Sequence, residues 1–424
     1  MHIKEISFYG DGVFKKCSQQ SIERFLEDLG GCSHIETMKF HYADLTEIIC
    51  KLSPAMKNSS IAHFQIEDSY LGTGKSQLFN VFRDMKSLLE LWIDCDDGYD
   101  STDLNDDAMA GCIPSLATCT AMQYLTLKNL GFGISSCAAL SASFLQMTSL
   151  EKLNLERNSI NDDFVEALIR GLVECKHLRR LFLGFNMISD DGLDVLIREL
   201  PASVCILDLE FNEYTLARQL WMLRFEFLNL GGNPLSRGAA QIIAASLVHP
   251  ECLLEKLILY GITFGNDGAA TLADSLRCNR RLTTMWFELS EITDTGGNAF
   301  LPVLCDTGSI NSTHNSNHTL RNLGCGKFPR YVYELLELNS SEDESHVAAT
   351  KILLAHHHLD MRPLFKEELD LLPYVVAWLE RFAESRLDLK LSTIFAFLRA
   401  MPMSINTGSR VARKTKRKQR KLDS

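Results

Sequence analysis

The segment Gly72-Thr-Gly74-Lys75-Ser76 has the residue types of a phosphate-binding loop, whose backbone N–H groups and lysine bind phosphate oxygens. The complete loop also requires a glycine five residues before Gly74, and Ser69 stands at that position. The segment lies between two stretches of an internal repeat described below. We therefore interpret it as part of that repeat, and the sequence predicts no nucleotide and no other cofactor.

A run of aspartates between 94 and 107 carries the oxygen ligands that calcium prefers. An EF-hand loop needs glycine at its sixth position and a carboxylate at its twelfth, whereas a loop counted from Asp94 has Gly98 fifth and Asn105 twelfth. We interpret this run as an acidic, solvated insert between two repeats rather than as a metal site.

No set of residues has the spacing of a catalytic constellation. His356, His357 and His358 are consecutive, so on a helix their side chains point about 100° apart and cannot share one metal ion. The 13 cysteines include no CxxC pair, which favours reduced, buried thiols over a zinc site or a disulfide framework. The sequence predicts a protein that is not an enzyme, binds no metal and has no small-molecule substrate.

The elements that would position a binding site come from an internal repeat. Its clearest unit runs from Leu150 to Ile160 in the pattern LxxLxLxxNxI, and the same frame returns 28 residues later at Leu178. Repeat starts fall at 3, 35, 61, 88, 122, 150, 178, 204, 225, 254, 282 and 320. A strand-plus-helix unit of this length cannot bury its apolar face alone, so neighbouring units must stack.

Each repeat predicts a short strand followed by a helix. The LxL stretch alternates between two faces as a strand does, and Asn158 at the ninth position can bond backbone groups of the following turn. Leu168 and Leu172 continue an apolar stripe at helical spacing. The uncharged run 129–150 is one such second half, so we predict no membrane span there despite its length.

These units resemble the ribonuclease-inhibitor-like class of leucine-rich repeats, the intracellular kind with 28-residue repeats. The segment 309–320 and the helical C-terminal part are also similar to leucine-rich repeat proteins of diatom-like algae. The resemblance implies an α/β fold, a leucine-rich repeat solenoid (horseshoe) of about 12 strand-helix units with a C-terminal helical cap. We expect the solenoid over 1–325, the cap over 326–403 and a basic, disordered tail over 404–424.

Outward-facing strand residues are the candidate partner-binding site. In the repeat frame the third, fifth and seventh residues face away from the helices. Aromatic side chains beside charges at such positions are typical of protein interfaces. The predicted binding residues are Trp92, Tyr124, Lys152, Arg180, Phe182, Asp208, Phe227, Lys256, Tyr260 and Trp286.

The net charge of −11 over 424 residues is unevenly distributed. Residues 410–424 carry +7, which leaves −18 on the remainder and argues against a general nucleic-acid binder. The basic tail suits a nuclear-import signal or an acidic partner, and nucleic acid is considered only there. Its candidate residues are Arg413, Lys414, Lys416, Arg417, Lys418, Arg420 and Lys421.

The first functional hypothesis is a non-enzymatic scaffold that binds protein partners on the concave strand face. One alternative is an activator of a small GTPase, because Ran GTPase-activating proteins use the same kind of repeat and an arginine, here matched by Arg157. The other is a nuclear adaptor that acts through the tail. With no signal peptide recognisable near Met1, we expect a cytoplasmic protein that also enters the nucleus if the tail is an import signal.

Overall fold

A computed structural model describes residues 3–356, apart from 13, 47, 58, 96–105, 218–223, 289–290, 327 and 342. The basic tail, the insert from 96 to 105, and residues 357–403 of the predicted helical cap lie outside the described residues. The chain divides into two compact units, Met1–Ile242 with Glu251–Ile262, and Ile243–Pro250 with Thr263–Ser424.

The described residues of the first unit form ten parallel strands that follow one another in chain order. Each strand pairs with the next in register, so that Leu125 lies opposite Leu153, and Leu153 opposite Leu181. The strands are β1 (Glu5–Tyr9), β2 (Thr37–His41), β3 (His63–Ser69), β4 (Glu90–Cys95), β5 (Tyr124–Lys128), β6 (Lys152–Asn154), β7 (Arg180–Phe182), β8 (Ile206–Asp208), β9 (Phe227–Asn229) and β10 (Lys256–Ile258).

Helices connect these strands on the other side of the sheet, as the apolar stripes predict. In α5, Val165, Leu168 and Leu172 are buried, and Asn161 caps the helix through the Phe164 N–H. The helices are α1 (Gln19–Gly31), α2 (Leu52–Met56), α3 (Asp106–Cys112), α4 (Ile134–Phe144), α5 (Asp162–Leu172), α6 (Asp190–Glu199) and α7 (Ala239–Val248), the last of which carries the unit boundary. Shorter 3₁₀ segments are Ile49–Lys51, Gly72–Phe82 and Ile113–Thr118.

The ninth-position asparagines connect adjacent repeats. Asn186 Nδ2 donates to the carbonyls of Leu183 in its own repeat and Leu155 in the preceding one. Its Oδ1 accepts the N–H groups of Asn158 and Ile160 from that preceding repeat. The sequence predicts bonds within the turn only, so the link between repeats is an addition from the structure.

A second ladder joins the starts of successive helices. The Asp162 carboxylate accepts the Ser189 N–H at 2.8 Å and the Ser189 hydroxyl at 2.5 Å. A Cβ added to Gly192 would lie 2.3 Å from Asp162 Oδ1, so glycine makes room for the carboxylate. Asp190 caps the next repeat in the same way, accepting the N–H groups of Thr215 and Leu216.

The part of the second unit that the structure describes contains one strand and six helices. The twelfth predicted start, Leu320, gives a single parallel bridge between Asn322 and Thr284 rather than a further strand. The elements are α8 (Gly265–Ser275), β11 (Thr284–Trp286), α9 (Asp294–Asn298), α10 (Leu301–Leu304), α11 (Ile310–His314), α12 (Arg330–Leu338) and α13 (Glu344–Ala355).

A buried lysine fixes α13 within the second unit. Lys351 is fully buried, and its Nζ donates to the Leu304 carbonyl at 2.6 Å and the Asn317 carbonyl at 2.9 Å. The third partner is His318 Nδ1 at 3.1 Å. Burial lowers the pKa of Lys351 to about 7.

The α/β leucine-rich repeat prediction is confirmed by these parallel strands alternating with helices in a regular repeat. The run 129–150, rejected as a membrane span, contains the 11-residue helix α4. Among the described residues, no helix combines the length and hydropathy that a bilayer crossing requires.

Candidate partner-binding face

The third, fifth and seventh residues of the repeats in the first unit lie on the side of the sheet opposite the helices, because alternate strand residues point to opposite sides. In β4, Leu91 and Ile93 are fully buried, while the alternate residues Trp92 and Asp94 are half-buried. We call the surface formed by these outward positions of β1 to β10 the strand face. It holds nine of the predicted binding residues, Trp92, Tyr124, Lys152, Arg180, Phe182, Asp208, Phe227, Lys256 and Tyr260.

Lys152 lies between aromatic rings at the centre of the strand face. Its Nζ is 5.3 Å from the Trp92 ring centroid and 5.3 Å from that of Phe182, distances typical of cation–π contacts. Burial lowers the pKa of Lys152, and the charge of the neighbouring Arg180 lowers it further. The two rings therefore hold a partly desolvated cation.

Arg180 repeats this arrangement on the adjacent strand. Its guanidinium lies 5.6 Å from the centroid of the Tyr124 ring. Lys152 and Arg180 are directly opposite each other in β6 and β7, with their Cα atoms about 5 Å apart. Two side chains of like charge therefore stand on neighbouring strands. Such a pair is unfavourable unless an anion lies nearby.

Lys128 is internally neutralised, unlike those two cations. Its Nζ lies 3.0 Å from Glu156 and 3.3 Å from Asp94. Burial lowers the pKa of Lys128, but the hydrogen bonds and charges of the two carboxylates outweigh it and raise the pKa overall. Burial also raises the pKa of Asp94, with the charge of Lys128 opposing it. Lys128 and the two carboxylates therefore pair with one another and need no partner.

Two carboxylates meet further along the strand face. Asn229 Nδ2 donates to Asp208 Oδ2 at 2.9 Å and to Glu210 Oε2 at 3.0 Å. Tyr260 donates its hydroxyl to the same Glu210 oxygen at 2.6 Å. Burial raises the pKa of Asp208 to about 6, although the Asn229 hydrogen bond opposes that shift. Asp208 is almost fully buried, so it supports the face from below rather than projecting from it.

Phe227 and Lys256 stand side by side on β9 and β10. They are opposite each other in register, with Phe227 half-buried and Lys256 exposed. Next to them, the Tyr260 ring lies where a Cβ on Gly231 would meet it at 2.5 Å. The glycine therefore leaves room for the Tyr260 ring beside the repeat of β9.

An aromatic ridge borders the strand face at the carboxyl ends of its strands. Phe185 and Phe211 stack with their ring centroids 4.6 Å apart, and Tyr260 follows at 5.7 Å from Phe211. Arg157 lies over Phe185, 4.3 Å from the ring centroid. We define Arg157, Phe185, Phe211 and Tyr260 as the rim ridge. Phe211 is 42% exposed despite being a large apolar side chain.

Three members of the rim ridge have left-handed backbone conformations, with φ of 58° at Arg157, 56° at Phe185 and 48° at Phe211. All three occupy the eighth position of their repeats, which Gly232 and Gly261 fill with φ of 68° in later ones. A non-glycine residue there costs about 1–3 kcal/mol. Sequence analysis named Tyr260 and Arg157 but missed Phe185 and Phe211, although the glycines at the same repeat position were a usable signal.

The amino-terminal end of the strand face encloses a cavity of about 230 Å³. Its charged groups are paired, His63 with Glu90 at 3.0 Å and Lys39 with Glu5 at 2.9 Å. Trp92 also lines this cavity, and its buried Nε1 has no hydrogen-bond partner in the described part of the chain.

Trp286, the tenth predicted residue, belongs to the second unit. Its Nε1 donates to Glu288 Oε2 at 3.1 Å, so this indole N–H is satisfied internally. A Cβ on Gly324, which has φ of 77°, would meet the Trp286 ring at 2.9 Å. Because Trp286 lies in the second unit, we describe it separately from the strand face.

Comparison with protein-family models finds no match for this chain. Among solved structures, an internalin from Listeria monocytogenes is similar with a TM-score of 0.38 and 16% sequence identity. The match covers 63% of this chain and 78% of the internalin chain. Since that score and identity are low, the fold assignment rests on the strands, helices and repeat register described above.

The other sequence candidates have structural roles. Lys75 is buried and donates to the Asn129 carbonyl at 3.1 Å. Asp106 caps α4 by accepting the N–H groups of Gly133 and Ser135. His356, for which the sequence favours a solvated side chain, is instead buried and bonded to Thr313 at 2.9 Å.

No cluster of three or more His, Cys, Asp or Glu side chains suited to a metal ion occurs in the described ranges. Cys175 and Cys252 fill the core as expected, whereas Cys278 is exposed. The seven basic tail residues from Arg413 to Lys421 lie outside the described residues, so their role remains a prediction.

Proposed function

We propose that this protein is a non-enzymatic scaffold that binds protein partners through the strand face and the rim ridge. The observation that carries the proposal is the stacking of Phe185 and Phe211 on left-handed backbone, at a repeat position where glycine serves elsewhere. The turn of the repeat imposes positive φ at this position, which Tyr42, Asp68 and Asn129 also hold, but it does not require an exposed aromatic ring there. Aromatic and arginine side chains in one patch are the usual anchors of protein interfaces.

Arg157 contributes to the same patch. Its guanidinium lies over the Phe185 ring, so we interpret it as an interface arginine rather than as the catalytic arginine of a GTPase activator. We also assign the repeats to the ribonuclease-inhibitor-like class, a proposal supported by the 28-residue spacing between Leu150 and Leu178.

The test replaces Phe185 and Phe211 together by glycine. Glycine adopts positive φ without strain, so F185G/F211G should keep or slightly raise the thermal midpoint while removing both rings. Proximity labelling with the full chain in cells should then lose most of the proteins that the wild type labels.

The matched control is Leu145→Gly/Met187→Gly, which removes two exposed apolar side chains outside the rim ridge. This control should retain the labelling pattern, with its own fold checked by circular dichroism because glycine weakens helix ends. An unchanged set of labelled proteins for folded F185G/F211G would show that partners bind elsewhere.

A further inference from the structure

Lys152 and Arg180 are cations without acidic partners at the centre of the strand face. Neither side chain lies within 4 Å of a carboxylate oxygen, or makes a hydrogen bond, among the residues that the structure describes. The nearby carboxylates are already used, since Glu90 pairs with His63 and Glu156 with Lys128. Lys152 is attracted by the more distant charges of Glu90 and Glu156, but neither cation has a carboxylate in direct contact within the described fold.

The surrounding rings prepare these cations for an anion. Trp92 and Phe182 hold Lys152 from two sides, and Tyr124 holds Arg180. An aromatic ring attracts the charge of a cation but does not replace an oxygen acceptor, so the N–H donors of the cation stay available for oxygen acceptors. Reduced mobility and partial desolvation both increase the gain from a charge-assisted hydrogen bond.

A third donor points to the same ligand chemistry. The Trp92 Nε1–H is buried without an acceptor among the described residues, beside the cavity of about 230 Å³. An indole nitrogen only donates, and leaving such a donor unpaired in a buried position is costly. The site thus offers three unsatisfied donor groups and calls for a ligand that supplies acceptors.

We propose that Lys152, Arg180 and Trp92 form a binding site for a carboxylate-bearing segment of a protein partner. The carboxylate binds between Lys152 and Arg180, and a neighbouring carbonyl of the same segment accepts from Trp92 Nε1. Arginine and lysine side by side suit a carboxylate, because the guanidinium provides two parallel donors and the ammonium a point charge. The inference deepens the proposed scaffold function and rests on it.

The test measures binding of labelled peptides to the full chain by fluorescence anisotropy. The first probe alternates Glu with Val and ends in an amide, and the second has Gln in place of every Glu. The third is the Gln probe with a free carboxyl terminus, which separates a chain-end carboxylate from side-chain carboxylates. We expect the Glu probe or the free-terminus probe to bind at least about tenfold more tightly than the amidated Gln probe.

Charge-neutralising variants localise the interaction. Lys152→Gln/Arg180→Gln should weaken binding of the carboxylate probe about tenfold and reduce its dependence on salt concentration. Arg170→Gln/Lys176→Gln removes the same net charge from exposed positions in the helical half and loop of the repeat that contains Lys152, and should leave binding unchanged. Trp92→Phe keeps a ring but removes the N–H, and should weaken binding by a smaller factor.

Equal binding of all three probes would overturn the proposal. Equal losses in the two double variants would overturn it as well. The latter result would indicate attraction to overall charge, including that of the basic tail. These outcomes are distinguishable from failure of the scaffold function. Loss of cellular partners in F185G/F211G together with unchanged peptide binding in Lys152→Gln/Arg180→Gln would retain the scaffold and reject the carboxylate site.

Discussion

Asp208 makes the strand face sensitive to pH. Burial raises its pKa in the folded protein to about 6, well above the usual value of an aspartate. The folded state therefore binds the proton more tightly than the unfolded chain. The stability from this group is fully present below about pH 4 and is lost as the pH rises through about 6.

Replacing Asp208 by Asn should raise the free energy of unfolding at pH 7 by about 1–2 kcal/mol, because the cost of a buried charge disappears. The gain is less than the full effect of the pKa shift, since Asn229 loses one acceptor. Urea unfolding between pH 4 and pH 7 should show the variant and the wild type diverging as the pH rises. Asp163→Asn, at an exposed position, is the control, and parallel curves for Asp208→Asn and the wild type would contradict the prediction.

At the level of single residues, the sequence predicted which side chains face away from the helices, but not how they pair. Trp92 and Phe182 are in different repeats, and only the register of β4 to β7 brings both to Lys152. Phe185 and Phe211 of the rim ridge were missed because they occupy a turn position whose left-handed φ is unusual for an aromatic residue. Comparing that position across repeats would have revealed it.

Asp162 shows how one element positions the next. Its carboxylate satisfies the N–H and hydroxyl of Ser189, the residue that caps α6. The same repeat position holds Asp190, and Asp106 occupies it once the six extra residues of the 88–122 repeat are allowed for. A carboxylate at the start of one helix thus aligns the next helix, and the ninth-position asparagines align successive turns in the same way.

Asp162→Ala should lower the free energy of unfolding by about 1–2 kcal/mol, as the loss of a capping interaction does. Asp163→Ala removes the adjacent, exposed carboxylate of the same first turn and should cost about 0.5 kcal/mol or less. Chemical denaturation followed by circular dichroism measures both. Equal effects would mean that helix-dipole electrostatics, and not the bond to the next repeat, carries the contribution of Asp162.

The strand and helix positions were largely predictable because LxxLxL periodicity fixes which residues are buried. The type of helix was less predictable. Gly72–Phe82 forms a 3₁₀ segment where the repeat suggests an ordinary helix, since its glycines, Thr73 and Asn80 have low helix propensity. The copy that starts at Leu320 likewise yields one bridge, because Cys325 stands where the frame has its third leucine.

At the scale of the whole chain, charge is divided between two regions. Residues 410–424 carry +7 against −18 for the remainder, and the stretch from Arg410 to Lys421 contains no acidic side chain. The strand face also compensates most of its charges internally, as the Lys128 cluster shows. The tail is therefore the largest concentration of positive charge in the sequence.

We propose that this tail is a nuclear-import signal, a role suited to its clustered Lys and Arg residues. Deleting residues 408–424 from the chain fused to a tag too large for passive diffusion should move the protein from the nucleus to the cytoplasm. Substituting the seven residues from Arg413 to Lys421 by Gln should do the same, because the charge rather than the length is recognised. Exchanging Lys for Arg and Arg for Lys preserves the charge and should preserve nuclear entry. An unaltered distribution of the deleted form would assign the tail to an acidic partner outside the import pathway.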